Sequence, residues 1–314
     1  MLYRTLGRTG LNVSLLSLGS GGAKLLGQTD GLTQDQQTAI VRAALDLGIN
    51  LIDTSHNYGD SETILGKALK GINRNAYMLG TKWHAEVDGK VADDPQALVR
   101  SVEQSLTKLC TDHIDIMFFH GPMANQVQKI VERFYPMMER LRDEGKIRFI
   151  GLSTRYQADP RHAAAEVALK TNPQLWDVIM LKFGILNQHA AKEILPLAIK
   201  HHIGIMNMAA VRVKLPDPQL LEELIADWKK AGYIPHDSLP THNPLGWLVH
   251  DDVTSVISAA YKFAAGHPAI ATIITGTSNI THLRENAANL QTPTLPQADS
   301  DRIKKLFGEI VEYA

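Results

Sequence analysis

The stretch TQDQQTAIVRAALDLGINLID, residues 33–53, contains one full unit of the pattern on which the fold rests. Thr33-Gln34-Asp35-Gln36 is a capping box, in which a hydroxyl and an amide side chain satisfy free backbone N–H groups at a helix start. Ile40, Val41, Ala44 and Leu45 then form one apolar stripe at helical spacing, and Gly48 is placed to close the helix. The apolar run Ile49–Ile52 follows, as expected of a strand covered on both faces, and Asp53 stands at its end.

Working outward, the same alternation of helix and short apolar run continues along the chain. Besides Ile49–Ile52, the runs are Leu15–Leu18, Tyr77–Leu79, Ile114–Phe119, Ile147–Leu152, Val178–Leu181, Ile203–Met208 and Ile270–Ile274. Asp94-Pro95 announces a helix whose Leu98, Val102, Leu106 and Leu109 face inward, and another runs from about Gln126 to Glu144 and stops at Gly145. Eight near-continuous apolar runs alternating with helices predict an α/β chain closed into a (β/α)8 TIM barrel. A β-hairpin, roughly Tyr3 to Val13 around Gly7 and Gly10, precedes the barrel and is expected at its floor. Residues 1–314 read as a single domain, with Pro216 to Asn243 an enlarged loop after the seventh strand.

Composition narrows the partners. With 44% hydrophobic and 21% charged residues the chain can bury a sizeable core. Its net charge of -1 leaves no field to hold nucleic acid or an anionic membrane surface, so a small molecule is the expected partner. A single cysteine, Cys110, allows no internal disulfide, and the segment after Met1 has neither an apolar core nor a cleavage site for secretion. A cytoplasmic location is the resulting expectation, and the sequons at Asn12 and Asn279 read as chance. His201, His202 and His113 lack a third ligand at a convincing spacing, so no metal site is expected. Nothing in the sequence indicates the oligomeric state.

Asp53, Lys82 and His120 each fall at the C-terminal end of an expected strand, and Tyr58 lies in the loop after Asp53. In a barrel these ends converge on one mouth. Singly, each residue reads more readily as an ion pair, a packed phenol or a satisfied core imidazole. Four such groups gathered at one place would be costly to desolvate unless they satisfied one another, which points to a working network.

Asp53-Thr54-Ser55-His56-Asn57-Tyr58-Gly59-Asp60-Ser61-Glu62, Gly80-Thr81-Lys82, Ile114-Asp115 leading to His120, Glu144-Gly145-Lys146 through Ser153, and Gly276-Thr277-Ser278 with Asn286 together closely resemble the signatures of the aldo-keto reductases. The resemblance spans nearly the whole chain. It implies that Tyr58 is the general acid/base, that Lys82 makes the phenol more acidic, that Asp53 fixes and balances Lys82, and that His120 orients the substrate oxygen. It further implies that Glu285 and Asn286 hold the adenine of a nicotinamide cofactor and that Ser153 and Thr154 hold the carboxamide, with Asp53 at the same end of the site.

The glycine-led turn at Gly276, Thr277 and Ser278 opens a short helix whose free N–H groups suit phosphate; simple capping by Asn279 is the blander reading. NADP(H) is the cofactor favoured by the family's habit. NAD(H) stays open, because Gly276 and His282 stand where 2′-phosphate binders commonly carry cationic side chains. Gly21 and Gly22 belong to a loop expected to line the nicotinamide end. They do not form a Rossmann fingerprint, since Lys24 occupies the place of the third glycine. Thr154, Met180 and Phe183 depart from the family's frequent Asn, Gln and Tyr. Trp83 and His84 are expected at the substrate-pocket rim, with surface packing as the alternative.

The expected function is therefore hydride transfer between NADP(H) and an aldehyde, ketone or sugar. Alternatives are an NAD-dependent sugar dehydrogenase of the same fold and a nucleotide-binding regulatory subunit with little turnover. A barrel isomerase or phosphate-sugar enzyme is more distant.

Overall fold

Two glycines shape the first hairpin. Gly7 and Gly10 take left-handed φ of 51° and 68°, a region glycine enters without steric cost. The chain reverses there, so that β1 (Tyr3–Thr5) pairs antiparallel with β2 (Asn12–Ser14). A Cβ on Gly7 would stand 2.2 Å from the Gly204 backbone nitrogen, which shows how closely the hairpin is pressed onto the start of a later strand.

The computed structural model describes residues 1–87 and 89–312. After the hairpin come β3 (Leu16–Gly19), β4 (Leu51–Asp53) and β5 (Met78–Trp83), then a small antiparallel pair, β6 (Glu86–Val87) and β7 (Lys90–Val91). They are followed by β8 (Ile114–His120), β9 (Ile147–Ser153), β10 (Val178–Lys182), β11 (Gly204–Met208) and β12 (Ile270–Thr275). Strands β3, β4, β5 and β8 to β12 are parallel, each beside the next, and β12 closes the cylinder onto β3. Each of the eight apolar runs expected to be a strand lies on one of these.

The helices are α1 (Gln34–Asp46), α2 (Ser61–Ala68), α3 (Gln96–Leu109), α4 (Val127–Asp143), α5 (Ala163–Thr171), α6 (Ile194–Lys200), α7 (Pro218–Lys230), α8 (Val256–Ala265), α9 (Ile280–Asn289) and α10 (Gln297–Phe307). Thr33 and Gln36 form the expected capping box at α1, and the Asp94 carboxylate accepts from the Gln96 N–H, 2.9 Å away, at the start of α3.

One segment departs from expectation. Pro216 to Asn243 is not all loop, because α7 lies within it. Asp217 accepts from the Gln219 and Leu220 N–H groups, Pro218 occupies the first turn, and Leu221, Ile225 and Trp228 bury one stripe. Prolines that looked like loop markers include one that starts a helix.

Apolar side chains divide into two layers. Leu6, Leu11 and Val13 of the hairpin are buried with Leu51, Ile116, Phe118, Val178, Met180, Met206 and Ala271, filling the cylinder from its floor. Ile40 and Val41 of α1, Leu98 and Val102 of α3 and Phe134 of α4 pack with Ile52, Leu79, Met117 and Ile150 in the layer between strands and helices. Gly151 makes room for Phe118 inside, since a Cβ there would come within 2.5 Å of its ring. With the floor filled, the opposite rim is the end available for polar groups. Among the described residues, no helix is long and apolar enough to cross a membrane.

Candidate active site

Parallel strands in one cylinder end at one rim. Asp53 is the last residue of β4, His120 of β8 and Ser153 of β9, while Lys82 is next to last in β5. Tyr58 lies between β4 and α2.

Lys82 Nζ donates to the two Asp53 carboxylate oxygens at 2.7 and 2.6 Å and to the Thr54 carbonyl at 2.6 Å. Every ammonium hydrogen thus has an acceptor, which a buried cation requires. Burial is the strongest influence on Lys82 and works against its charge, but Asp53 and Tyr58 outweigh it and hold the ammonium above its ordinary value. Its Nζ stands 4.9 Å from the centroid of the Tyr58 ring. The His120 ring meets that ring edge-on, with centroids 5.7 Å apart.

Burial first, then the charge of Lys82, pushes His120 down to about 2, so its imidazole is neutral. Its Nδ1 lies 3.2 Å from Ser55 Oγ. With the hydroxyl donating there, the network assigns the ring hydrogen to Nε2, which has no partner among the described residues. Ser55 was not singled out in the sequence, although it lies inside the motif that carries Tyr58. Gly21 gives Tyr58 its place: a Cβ on Gly21 would fall 2.5 Å from the phenol ring.

Tyr58, Lys82 and His120 face a cleft of about 270 Å³, lined also by Asn57, His84, Gly121, Ser153, Thr154, Arg155, Tyr156, Gln157, Met180 and Met208. Trp83 is not among them. It is 5% exposed and packs on Phe134 and Phe119, ring centroids 4.8 and 6.4 Å away, in the layer between strands and helices. Its expected place at the pocket rim is corrected for a simple reason: successive strand residues face opposite sides, and Lys82 faces in. His84, the next residue, does stand at the cleft.

The residues expected around a nicotinamide nucleotide lie in two groups. Ser153 and Thr154 line the cleft. Ser153 Oγ is buried without a hydrogen-bond partner, which fits the arrival of an amide, whereas Thr154 Oγ1 is 2.9 Å from His162 Nδ1. Gly276, Thr277 and Ser278, in the turn after β12, and His282, Glu285 and Asn286, on α9, form the second group. A Cβ on Gly276 would approach the Gly21 carbonyl at 3.5 Å, so this group adjoins the loop that supports Tyr58. Gly22 has open space at its Cβ position.

Thr277 Oγ1 accepts from the Asn279 N–H at 3.0 Å, and Asn279 caps α9, as the blander reading of this turn expects. Ser278 donates to the Asp30 carboxylate at 2.6 Å, which also receives Lys24. Asn286 donates to Thr275 Oγ1, while His282 and Glu285 are exposed. An orphaned hydroxyl in the cleft and a glycine turn beside it suit a nicotinamide nucleotide. Among the described residues, no group of three or more side chains could hold a metal ion.

The sequence reading also passed over a second cavity of about 90 Å³, which shares Gln157 with the first. Glu312 pairs there with the buried Lys182 and with Lys214, 2.7 Å away. Arg212 and Lys182 flank the Tyr156 ring. A cation at the end of β10 was the available signal.

Comparison with known proteins gives consistent results. The model of the Aldo/keto reductase family matches residues 17–307. An uncharacterized oxidoreductase of Bacillus subtilis is 29% identical over 300 residues, covering 92% of either chain. L-galactose dehydrogenase of Arabidopsis thaliana is 28% identical, covering 91% of this chain and 86% of its own. The holo form of an aldo-keto reductase from Bacillus halodurans superposes with a TM-score of 0.72 at 27% identity, covering 100% of this chain and 97% of its own.

Proposed function

The chain belongs to the aldo/keto reductase family, and on that footing we propose that it interconverts an aldehyde or ketone and its alcohol, with Tyr58 as general acid/base. The observation that carries this reading is the grouping of Tyr58, Lys82 and His120 on one cleft, with the buried Asp53 carboxylate paired to Lys82. A bound nicotinamide nucleotide supplies or accepts the hydride. Ser153 and Thr154 would hold its carboxamide, and Gly276 to Asn286 its adenosine end.

The protein's own part is to bind, orient and move a proton. Neutral His120 donates its Nε2 hydrogen to the substrate oxygen and shares the charge that develops there. Tyr58 gives that oxygen its hydroxyl proton as carbonyl becomes alcohol. The ammonium of Lys82, close to the ring, stabilises the negative charge left on the phenol. Asp53 keeps Lys82 charged and fixed. In the oxidative direction Tyr58 accepts the alcohol proton, so the same groups serve sugar oxidation, the activity in the name of the Arabidopsis relative.

Tyr58→Phe is expected to lower kcat by about 10²- to 10⁴-fold, the usual share of a general acid. Nucleotide affinity, read by quenching of protein fluorescence, should stay near that of the parent protein. Undiminished turnover would refute the mechanism. Nucleotide binding by the parent with no turnover of any carbonyl or sugar would instead favour a regulatory binding subunit.

The resemblance points to NADP(H), but one observation favours NAD(H). The Asp30 carboxylate sits on Ser278 in the turn expected to receive phosphate and holds Lys24 in an ion pair, so this ammonium is not free to meet an additional phosphate dianion. NADH should then bind at least as tightly as NADPH, and Asp30→Asn should shift the ratio of dissociation constants toward NADPH. A strong NADPH preference in the parent protein would restore the first choice.

A further inference from the structure

Arg155 is a cation on the cleft wall to which the mechanism gives no work. It follows Ser153 and Thr154 past the end of β9, lines the same cleft as Tyr58 and His120, and has a side chain 34% exposed.

Its position is built. The closest partner is His84, whose Nε2 lies 2.6 Å from Arg155 Nη2, and His84 in turn meets the His120 ring edge-on at 6.1 Å. The guanidinium stem lies over Gly121, where a Cβ would come within 3.2 Å of Arg155 Cβ and 3.3 Å of Nε. Glu86 is near the same Nη2 at 3.4 Å, and its oxygen already accepts from Gln126 at 3.0 Å.

An arginine placed for ion pairing meets its carboxylate at short range, as Arg74 and Arg148 meet Asp115 at 2.6 Å, and often through two parallel bonds. Here the carboxylate contact is single and long, and the Nε and both Nη1 hydrogens have no acceptor among the described residues. The other cation on the cleft, Lys82, has all its hydrogens taken by Asp53 and Thr54. A fixed planar guanidinium with free donors matches the geometry of a carboxylate or a phosphate; with Lys82 engaged, its single charge balances a carboxylate monoanion and leaves a phosphate dianion half compensated.

We propose that the substrate carries a carboxylate away from its reacting carbon, and that Arg155 binds it at the cleft wall. This rests on the reading of the cleft as the place of carbonyl reduction. Arg155 would be a specificity residue, and the depressed imidazole of His84, caused by burial and then by Arg155, is consistent with a neutral ring accepting from the guanidinium.

The test compares initial rates for a series of linear ω-oxo carboxylates of about three to six carbons with those of their methyl esters. Charged hydrogen bonds contribute about 1.5–3 kcal/mol, so kcat/KM should favour the acid by about ten- to a hundredfold at the best chain length, mainly through KM. Arg155→Gln should bring the ratio of acid to ester toward one, and Arg155→Lys should restore part of it. Displacement of the best acid by butanoate, against butanamide as control, provides a reading independent of turnover. Equal use of acid and ester, or a preference that survives in Arg155→Gln, overturns the inference and leaves the Tyr58 mechanism standing. If no carbonyl is turned over, but calorimetry shows butanoate binding that is lost in Arg155→Gln, the anion site stands and the reductase reading falls.

Discussion

His120 and His162 are two imidazoles held neutral by burial, pushed down to about 2 and about 4 from an ordinary 6.5. Both folded-state values lie below the unfolded one, so each group takes up a proton on unfolding in acid. Their stabilising contribution is complete above about pH 6.5 and is lost as pH falls, His162 ending near 4 and His120 near 2. Each adds a slope of at most about 1.4 kcal/mol per pH unit within its window. Denaturant midpoints should therefore decline from pH 7 to pH 4, and histidine resonances assigned to these two rings should not titrate above pH 5. A flat stability profile would contradict their neutrality. At this scale Asp53, Tyr58, Lys82 and His120 were legible because each stands at or just after a strand end. Trp83 was misplaced because the expected strand stopped at Leu79; carried on to residue 83, the two-residue alternation puts it on the outer side.

The hairpin of β1 and β2 does for the barrel what a helix does for a sheet: it covers apolar surface that would otherwise meet water. Leu6 is fully buried against the inward-facing residues of the cylinder. Leu6→Ala should cost about 2–5 kcal/mol, the usual range for removing most of a buried leucine. Urea unfolding would check this, and an unchanged midpoint would mean that the floor is held without the hairpin. The eight barrel strands were legible as elements because both their faces are covered, so their apolar runs are unbroken. Helix α7 was not, although its signals are ordinary ones. Asp217 and Pro218 open it and Leu221, Ile225 and Trp228 mark its buried side, but Pro235 and Pro240 beyond it coloured the whole segment as loop. Its Trp228 lies 5.7 Å from Phe307 of α10, a partner far along the chain that no local pattern announces.

Over the whole molecule, the fold followed from periodicity, whereas the detail of the cleft depends on side chains meeting across strands. The contact of Arg155 with His84 and that of Ser278 with Asp30 join residues 71 and 248 positions apart. Neither leaves a mark on local spacing. The filled floor has a consequence for traffic. A cylinder stoppered at one end has a single doorway, so it cannot act as a conduit. Whatever enters the cleft must leave by that same threshold.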